Sequence, residues 1–104
     1  MKQIVQSKIA LMGAILQNRG RIKSYGVKEL GLFGSFAKDD EINETSDVDF
    51  LVEFEKGKKS YDNFMDLSFF LEEILGRKVE LVTPQSLSKY LGPHILRQVE
   101  NVSL

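Results

Sequence analysis

Two aspartates separated by one residue are the strongest chemical feature of the sequence. Asp47 and Asp49 open a stretch, residues 47–54, in which apolar side chains alternate as on a half-buried strand. Side chains two apart on a strand share a face, so the two carboxylates would lie side by side and repel each other. A divalent cation removes this repulsion, and carboxylate oxygens completed by water and phosphate are the usual ligands of magnesium. An isolated Asp-x-Asp pair is more often a polar surface strand, so a metal site needs support from other residues.

Two further features could supply that support. Gly34 and Ser35 follow a short apolar stretch that ends at Phe33. Glycine lets the backbone approach a ligand closely, and a helical turn beginning at Ser35 would direct N–H groups towards a phosphate. Glu80 lies in an apolar stretch, where an unpaired charge is costly. If that stretch is a strand beside the aspartates, Glu80 can join them. The alternatives are an ordinary turn at Gly34 and an edge-strand glutamate open to water.

The elements that must position these residues follow from hydrophobic periodicity. The spacing predicts strands over residues 29–33, 47–54 and 79–82. It predicts helices over residues 4–16 and 21–25, a helix between an N-cap at Ser60 and a C-cap at Gly76, a short helix near Gln85, and a last one from Gly92 through Val99. This order predicts an α/β (α+β) fold with a small mixed sheet and helices packed on it. We expect one domain over residues 1–104, with an N-terminal helical segment over 1–26 and a catalytic core over 27–104.

Composition excludes several classes of function. The 104 residues contain no cysteine, which removes disulfides, thiolate metal sites and cysteine nucleophiles. A net charge of -1 disfavours direct nucleic-acid binding, because such proteins are usually basic. No apolar stretch approaches the length of a membrane span, and the N-terminus lacks the pattern of a signal peptide. We therefore expect a cytoplasmic protein without a membrane partner.

The order of these features resembles a known family. LFGSFA at residues 32–37 and SDVDFLVEF at residues 46–54 look like the signature of the DNA polymerase β-like nucleotidyltransferase superfamily. The chain most resembles the minimal nucleotidyltransferases, small antitoxins paired with HEPN toxins. The likeness continues through FMDL at 64–67, FLEEILGR at 70–77 and VELVTP at 79–84, so it covers nearly everything from Val27 onward.

The resemblance implies a role for each residue. The residues that would bind the nucleoside triphosphate are Gly34, Ser35, Lys38 and Ser46. Asp47 and Asp49 would hold two magnesium ions, and Glu80 would share one ion and help to deprotonate the attacking hydroxyl. This is a two-metal in-line displacement, with ions about 4 Å apart. The implied reaction moves AMP from ATP to a tyrosine of a HEPN-type toxin, which would also be the complex partner.

Four departures from the family pattern bear on activity. Lys38-Asp39 replaces the usual Arg-Gly, and lysine lacks the bidentate geometry of arginine. Asp39 and Asp40 add negative charge, which we expect to weaken nucleotide binding. The loop from Ser35 to Asp47 is one residue longer than usual. Glu80 replaces an aspartate, and a shift of about 1 Å in the base can cost roughly 10²-fold in rate.

Three functions remain open from the sequence. The first is nucleotidyl transfer to a protein, with the acceptor site supplied by a separate chain because this one is short. The second is a binding module that neutralises its partner by occlusion, with a vestigial metal site. The third is transfer to a small molecule, for which no additional substrate-binding segment is visible. Adjacent Phe69 and Phe70 cannot both face one core, so either one belongs to an exposed partner-binding patch or both pack at the helix edges.

Overall fold

A four-stranded sheet with helices packed on it forms the framework of the protein. The computed structural model describes residues 4–39, 42–89, 92–102 and 104. Its strands are β1 (Val27–Phe33), β2 (Val48–Phe54), β3 (Val79–Val82) and β4 (Glu100–Val102). Its helices are α1 (Lys8–Gln17), α2 (Arg19–Ser24), α3 (Ser35–Lys38), α4 (Tyr61–Leu75) and α5 (Gly92–Gln98), with a 3₁₀ turn at Pro84–Ser86.

The sheet is mixed, and its strand order is β3-β2-β1-β4. β1 runs antiparallel to both β2 and β4, whereas β2 and β3 are parallel. The parallel pair is possible because α4 connects its two strands, as a parallel pair requires a crossover. The predicted α/β class with a small mixed sheet is therefore confirmed.

The core lies between one face of the sheet and the helices. Val48, Phe50 and Val52 of β2 are fully buried. The fully buried helical side chains that pack in the same core are Leu11, Ile15, Ile22, Phe36, Leu67, Leu71 and Leu75. The N-terminal helical segment thus shares the core of residues 27–104. In the part of the chain that the structure describes, no helix is long and apolar enough to cross a membrane.

Both predicted caps of α4 are confirmed. The Ser60 hydroxyl oxygen accepts a hydrogen bond from the Asn63 N–H at 3.1 Å. Gly76 ends the helix in the left-handed conformation with φ 67°, which glycine adopts without a steric penalty. These caps set where β3 begins, because only two residues separate Gly76 from it.

The start of α1 corrects the sequence prediction. The helix begins at Lys8 and not at Ile4, because the Ser7 hydroxyl caps it by accepting from the Ala10 N–H at 3.1 Å. The backbone N–H of Val5 instead donates to the Leu75 carbonyl at 3.0 Å. Ile9 is 83% exposed, so the apolar residues counted as one helical face do not all face the core.

Other boundaries also differ from prediction. α2 begins earlier, at Arg19, β1 begins at Val27, and β2 begins one residue after Asp47. The last helix ends at Gln98, and the chain then forms β4, which was not predicted. Three residues carry too little periodicity to indicate a strand. β4 exists because the free edge of β1 offers it hydrogen-bonding partners.

The two adjacent phenylalanines of α4 separate as the helical geometry requires. Phe69 is exposed, whereas Phe70 is half-buried and packs against the Tyr25 ring. The Arg21 guanidinium lies 4.9 Å from the centre of the Phe70 ring. Phe69 is therefore the one of the two that could contribute to an exposed patch.

Candidate active site

The parallel pairing of β2 and β3 brings two of the three predicted carboxylates together. Asp49 lies directly opposite Glu80 in the register. Val48 and Phe50 on either side of Asp49 are fully buried, so strand alternation turns Asp49 to the opposite face of the sheet, where it is half-buried. Asp47 precedes β2, is exposed and is close enough to act electrostatically on Asp49. The sequence-based expectation that Glu80 joins the aspartates is supported by this register.

The position of Glu80 also agrees with the alternative prediction of an edge-strand glutamate open to water. β3 is one of the two edge strands of the sheet, and Glu80 is exposed. Its carboxylate is therefore not a costly buried charge. Exposure at an edge leaves it accessible to an incoming molecule while its register keeps it beside Asp49.

The electrostatics of the carboxylate group favour a cation. Burial, the negative charges of Glu80 and Asp47, and a hydrogen bond with the Glu80 side chain raise the pKa of Asp49 from 3.8 to about 6. All these causes disfavour the ionised form, as expected where carboxylates share a small volume. A bound cation would reverse the effect by stabilising the ionised form.

The donor atoms fit magnesium in kind. They are hard carboxylate oxygens, and magnesium typically takes only one or two carboxylates and completes its shell with water and phosphate. Across residues 4–39, 42–89, 92–102 and 104, no three His, Cys, Asp or Glu side chains converge closely enough to hold a metal ion as they stand. The metal-binding role of Asp47, Asp49 and Glu80 therefore stays a prediction that requires the side chains to close around the ion.

The glycine after β1 is coupled directly to Asp49. Gly34 has φ 76° and ψ -155°, a backbone conformation that is essentially restricted to glycine. A Cβ added at this position would overlap the Oδ2 atom of Asp49. The register of β1 and β2, which pairs Phe33 with Asp49, brings the loop and the carboxylate together. The predicted phosphate loop and the predicted metal site are thus adjacent parts of one surface.

The remaining predicted nucleotide ligands are Ser35, Lys38 and Ser46. Ser35 begins α3 directly after Gly34 and is exposed, so the predicted helical turn is confirmed. Lys38 is the last residue of α3 and is also exposed. Ser46 has a local partner, because its hydroxyl accepts from the Asn43 N–H at 3.0 Å. This bond closes the turn before Asp47, and nucleotide contact by these residues stays a prediction.

The structure gives Asp39 a role that the sequence did not indicate. Asp39 adopts the left-handed conformation with φ 52° and ends α3. Its Oδ1 atom accepts a hydrogen bond from the Lys8 N–H at 3.0 Å, at the first residue of α1. Its charge is thus directed to a helix N-terminus, where a carboxylate is stabilising. Asp40, the other acidic residue expected to weaken nucleotide binding, lies outside the described residues.

A small cavity lies on the face of the sheet that carries Asp49. It has a volume of about 200 Å³ and includes Gly31, Leu51, Pro84 and Val99 in its lining. Leu51 is two residues from Asp49 on β2 and therefore shares its face of the sheet. A Cβ on Gly31 would overlap Val99, so this glycine allows the segment after α5 to cross close to the sheet. Glu29, Glu53 and Asn101 also line the cavity, so its lining is partly polar.

A model of one protein family matches most of the chain. This model, described as a nucleotidyltransferase domain, matches residues 15–102. The chain belongs to the nucleotidyltransferase domain family. The resemblance inferred from the LFGSFA and SDVDFLVEF segments is therefore confirmed, and so is the predicted enzyme class.

Relatives of this nucleotidyltransferase include proteins of the minimal type. The protein adenylyltransferase MntA of Thermococcus cleftensis is 43% identical over 75 residues, which are 72% of this chain and 74% of that protein. A solved structure described provisionally as a minimal nucleotidyltransferase has a TM-score of 0.69 at 30% identity, covering 86% of this chain and 93% of that one. The fold is also shared with a chain from a complex of tri-AMPylated Shewanella oneidensis HEPN toxin and MNT antitoxin. The TM-score is 0.64 at 19% identity, and the match covers 92% of this chain and 71% of that one.

Proposed function

We propose that this nucleotidyltransferase is the antitoxin of a toxin–antitoxin pair and transfers AMP from ATP to a tyrosine of a HEPN-type toxin. The reaction is proposed to depend on magnesium and to take place in the cytoplasm, where ATP is available. The observation that carries the proposal is the convergence of Asp49, Glu80 and Gly34 at one point of the sheet. The names of the MntA relative and of the AMPylated toxin complex support a protein acceptor of this type.

Asp47, Asp49 and Glu80 are the residues that would hold the metal. Magnesium, when bound, would supply the positive charge that offsets the carboxylates and the phosphate oxygens. Asp49 is anchored for this task because its strand neighbours are buried on the other face. Gly34 has no side chain between the loop and Asp49, so phosphate oxygens can approach the backbone there. Ser35 presents a hydroxyl and a backbone N–H to the same phosphates.

Glu80 is the candidate base. In the proposed step the tyrosine oxygen attacks the α-phosphorus of ATP and forms the new P–O bond. The bond from that phosphorus to the bridging oxygen breaks, and pyrophosphate leaves with the electron pair. The phenolic proton passes to the Glu80 carboxylate, which is exposed and accessible to an acceptor carried by another chain. General base catalysis of this kind contributes about 10²- to 10⁴-fold.

The cavity on the face of the sheet that carries Asp49 supports an aromatic acceptor. Gly31, Leu51 and Val99 give it an apolar part, and Leu51 shares its strand face with Asp49. A tyrosine ring could pack on this apolar part with its hydroxyl directed towards Glu80. Aromatic side chains combine a large apolar surface with a polar end, which suits a site of this composition.

The mass of the toxin after incubation with ATP and magnesium tests the proposal. A HEPN-type toxin from the same genome should gain the mass of one or more AMP groups when this chain is present. Asp49→Asn should abolish the gain, whereas Asp66→Asn, at an exposed aspartate on α4, should leave it unchanged.

Neutralisation by binding alone is the alternative that the same experiment separates. It is favoured by Lys38-Asp39 and Glu80, which depart from the family pattern. If the wild-type chain adds no nucleotide while Asp47→Asn and Asp49→Asn still neutralise the toxin, the catalytic proposal fails and occlusion is the function.

A further inference from the structure

A buried arginine connects both halves of the proposed site. Arg77 lies between the C-cap of α4 and the start of β3 and is only 7% exposed. Its Nε–H donates to the Val5 carbonyl at 2.6 Å, and its Nη1 group donates to the Asn43 and Ser46 carbonyls at 2.7 and 2.9 Å. Among the residues that the structure describes, no carboxylate forms an ion pair with Arg77.

Among the described residues, three carbonyl oxygens and an aromatic ring stabilise this buried cation. These contacts offset the cost of desolvating its charge. The guanidinium carbon lies 5.0 Å from the centre of the Phe36 ring, within the range of a cation–π contact. The contacts with Asn43, Ser46 and Phe36 reach two segments that carry candidate site residues.

The two carbonyl contacts set where the chain enters β2. Asn43 and Ser46 are the two ends of a turn, which their own hydrogen bonds close. Ser46 is followed directly by Asp47, so the guanidinium holds the residue before the first candidate metal ligand. On the other side of Asp47, the Val48 N–H donates to the carbonyl of Lys78, the residue after Arg77, at 3.0 Å. The backbone is therefore held on both sides of Asp47.

The aromatic contact reaches the proposed phosphate loop. Phe36 is fully buried in α3, and it follows Ser35 directly. The planar guanidinium can stack on this ring and donate in its plane at the same time. A lysine ammonium retains the charge but cannot reproduce both contacts, because it is a compact point charge.

We propose that Arg77 is a positioning residue for nucleotidyl transfer, which holds the Asn43–Ser46 turn and α3 in the relative placement that the catalytic carboxylates and the phosphate loop require. This inference rests on the proposed function of the site. Arg77 acts through the backbone before Asp47 and through Phe36, and it does not touch the reacting atoms. Loss of its contacts should therefore alter magnesium dependence and turnover more than nucleotide affinity.

Arg77→Met and Arg77→Lys test the proposal, with Arg97→Met as the matched control. Arg97 is an exposed arginine, and among the described residues its Nε–H donates within α5, to the Pro93 carbonyl at 3.3 Å. Three quantities are measured for each variant at a temperature at which it is folded: the transfer kcat, the KM for ATP, and the magnesium concentration at half-maximal rate. Hydrogen exchange of residues 42–48 is measured without ATP or metal, and residues 61–75 serve as the internal reference.

In both Arg77 variants kcat should fall by about 100-fold, as expected for a misplacement of about 1 Å. The magnesium requirement should rise several-fold, the KM for ATP should change less, and residues 42–48 should exchange faster than the reference segment. Arg97→Met should match the wild type in all of these. If Arg77→Met unfolds, Arg77→Lys provides the same readouts, because the lysine keeps the buried charge and can still reach one carbonyl.

Two outcomes overturn the proposal. One is a folded Arg77→Lys variant with wild-type kcat and magnesium dependence. The other is unchanged exchange of residues 42–48 in the variants, which would show that the turn does not depend on Arg77. Failure of the proposed function is distinguishable, because the wild-type chain would then transfer no nucleotide while the exchange measurement would still report on the turn.

Discussion

Replacing Asp49 by asparagine should stabilise the metal-free protein at neutral pH while abolishing nucleotidyl transfer. The reason is the raised pKa of the Asp49 carboxyl, about 6 against an ordinary value of 3.8. The folded state binds its proton more tightly than the unfolded state, so this carboxyl contributes stability below about pH 4 that is lost as the pH rises through about 6. Asparagine has approximately the same shape and does not ionise, so it avoids this loss.

The size of the effect follows from the two pKa values. Each pKa unit corresponds to about 1.4 kcal/mol, so the full difference between 3.8 and about 6 would be about 3 kcal/mol. Asp49 is only half-buried, and solvent screening reduces the expected gain in unfolding free energy to about 1 kcal/mol at pH 7. For a chain of 104 residues this corresponds to a Tm higher by about 4–8 °C.

Thermal unfolding in the presence of a chelator, at pH 4 and at pH 7, checks this prediction. Asp49→Asn should exceed the wild type in Tm at pH 7 and approach it at pH 4. Asp66→Asn, at an exposed position on α4, should follow the wild type at both values. Added magnesium should raise the Tm of the wild type and not that of Asp49→Asn. Equal Tm values of wild type and Asp49→Asn at pH 7 would refute the raised pKa of Asp49 and with it the combined effect of burial and carboxylate repulsion.

Three other substitutions test separate parts of the site and the core. Gly34→Ala should cost about 1–3 kcal/mol of stability from backbone strain and also reduce transfer, because its methyl group overlaps Asp49. Gly57→Ala is the control in which only backbone strain applies, because Gly57 has φ 79° and open space around it. An equal loss of transfer in Gly34→Ala and Gly57→Ala would contradict the steric argument. Glu80→Gln should keep the fold, since the residue is exposed, and lower the transfer rate by about 10²-fold or more; a wild-type rate in the mass assay would exclude Glu80 as the base. Leu71→Ala should lower the unfolding free energy by about 2–5 kcal/mol in denaturant titration, because Leu71 is fully buried, and a smaller loss would show that the core relaxes around the gap.

The structure changes how the departures from the family pattern should be judged. Asp39 was expected to bring negative charge to the triphosphate, but its carboxylate caps α1 through the Lys8 N–H. Glu80 remains the departure with an expected consequence, because it lies opposite Asp49 in the register and its length would affect the placement of the proposed base. Slow transfer would therefore be attributed first to Glu80 and to Lys38, and not to Asp39.

Local patterns in the sequence were sufficient for much of the fold. Strand alternation placed Val48 and Phe50 inside and Asp49 outside, because side chains on a strand alternate whatever surrounds it. Ser60 and Gly76 predicted both ends of α4, because each acts through hydrogen bonds or backbone conformation within one helical turn. The same argument failed at the start of α1, where the Ser7 cap takes effect three residues after the apolar spacing begins.

Contacts between distant residues were decided only by the tertiary structure. β4 has no recognisable pattern of its own and depends on the free edge of β1. From the sequence, Asp49 and Glu80 could be predicted to meet only if their strands were neighbours. The residues of one strand do not determine which strand pairs with it. Arg77 was visible only as a charged residue before an apolar strand, and its contacts with Val5, Asn43 and Ser46 span up to 72 positions of sequence.

The sequence by itself therefore predicted which residues could do chemistry and determined which face of its strand Asp49 occupies, since these depend on residue type and local periodicity. The tertiary structure decided which of them meet. Gly34 and Asp49 become neighbours because β1 and β2 are paired in one particular register. The turn before Asp47 is held by an arginine that follows α4, because the packing of the helices brings that residue to the turn.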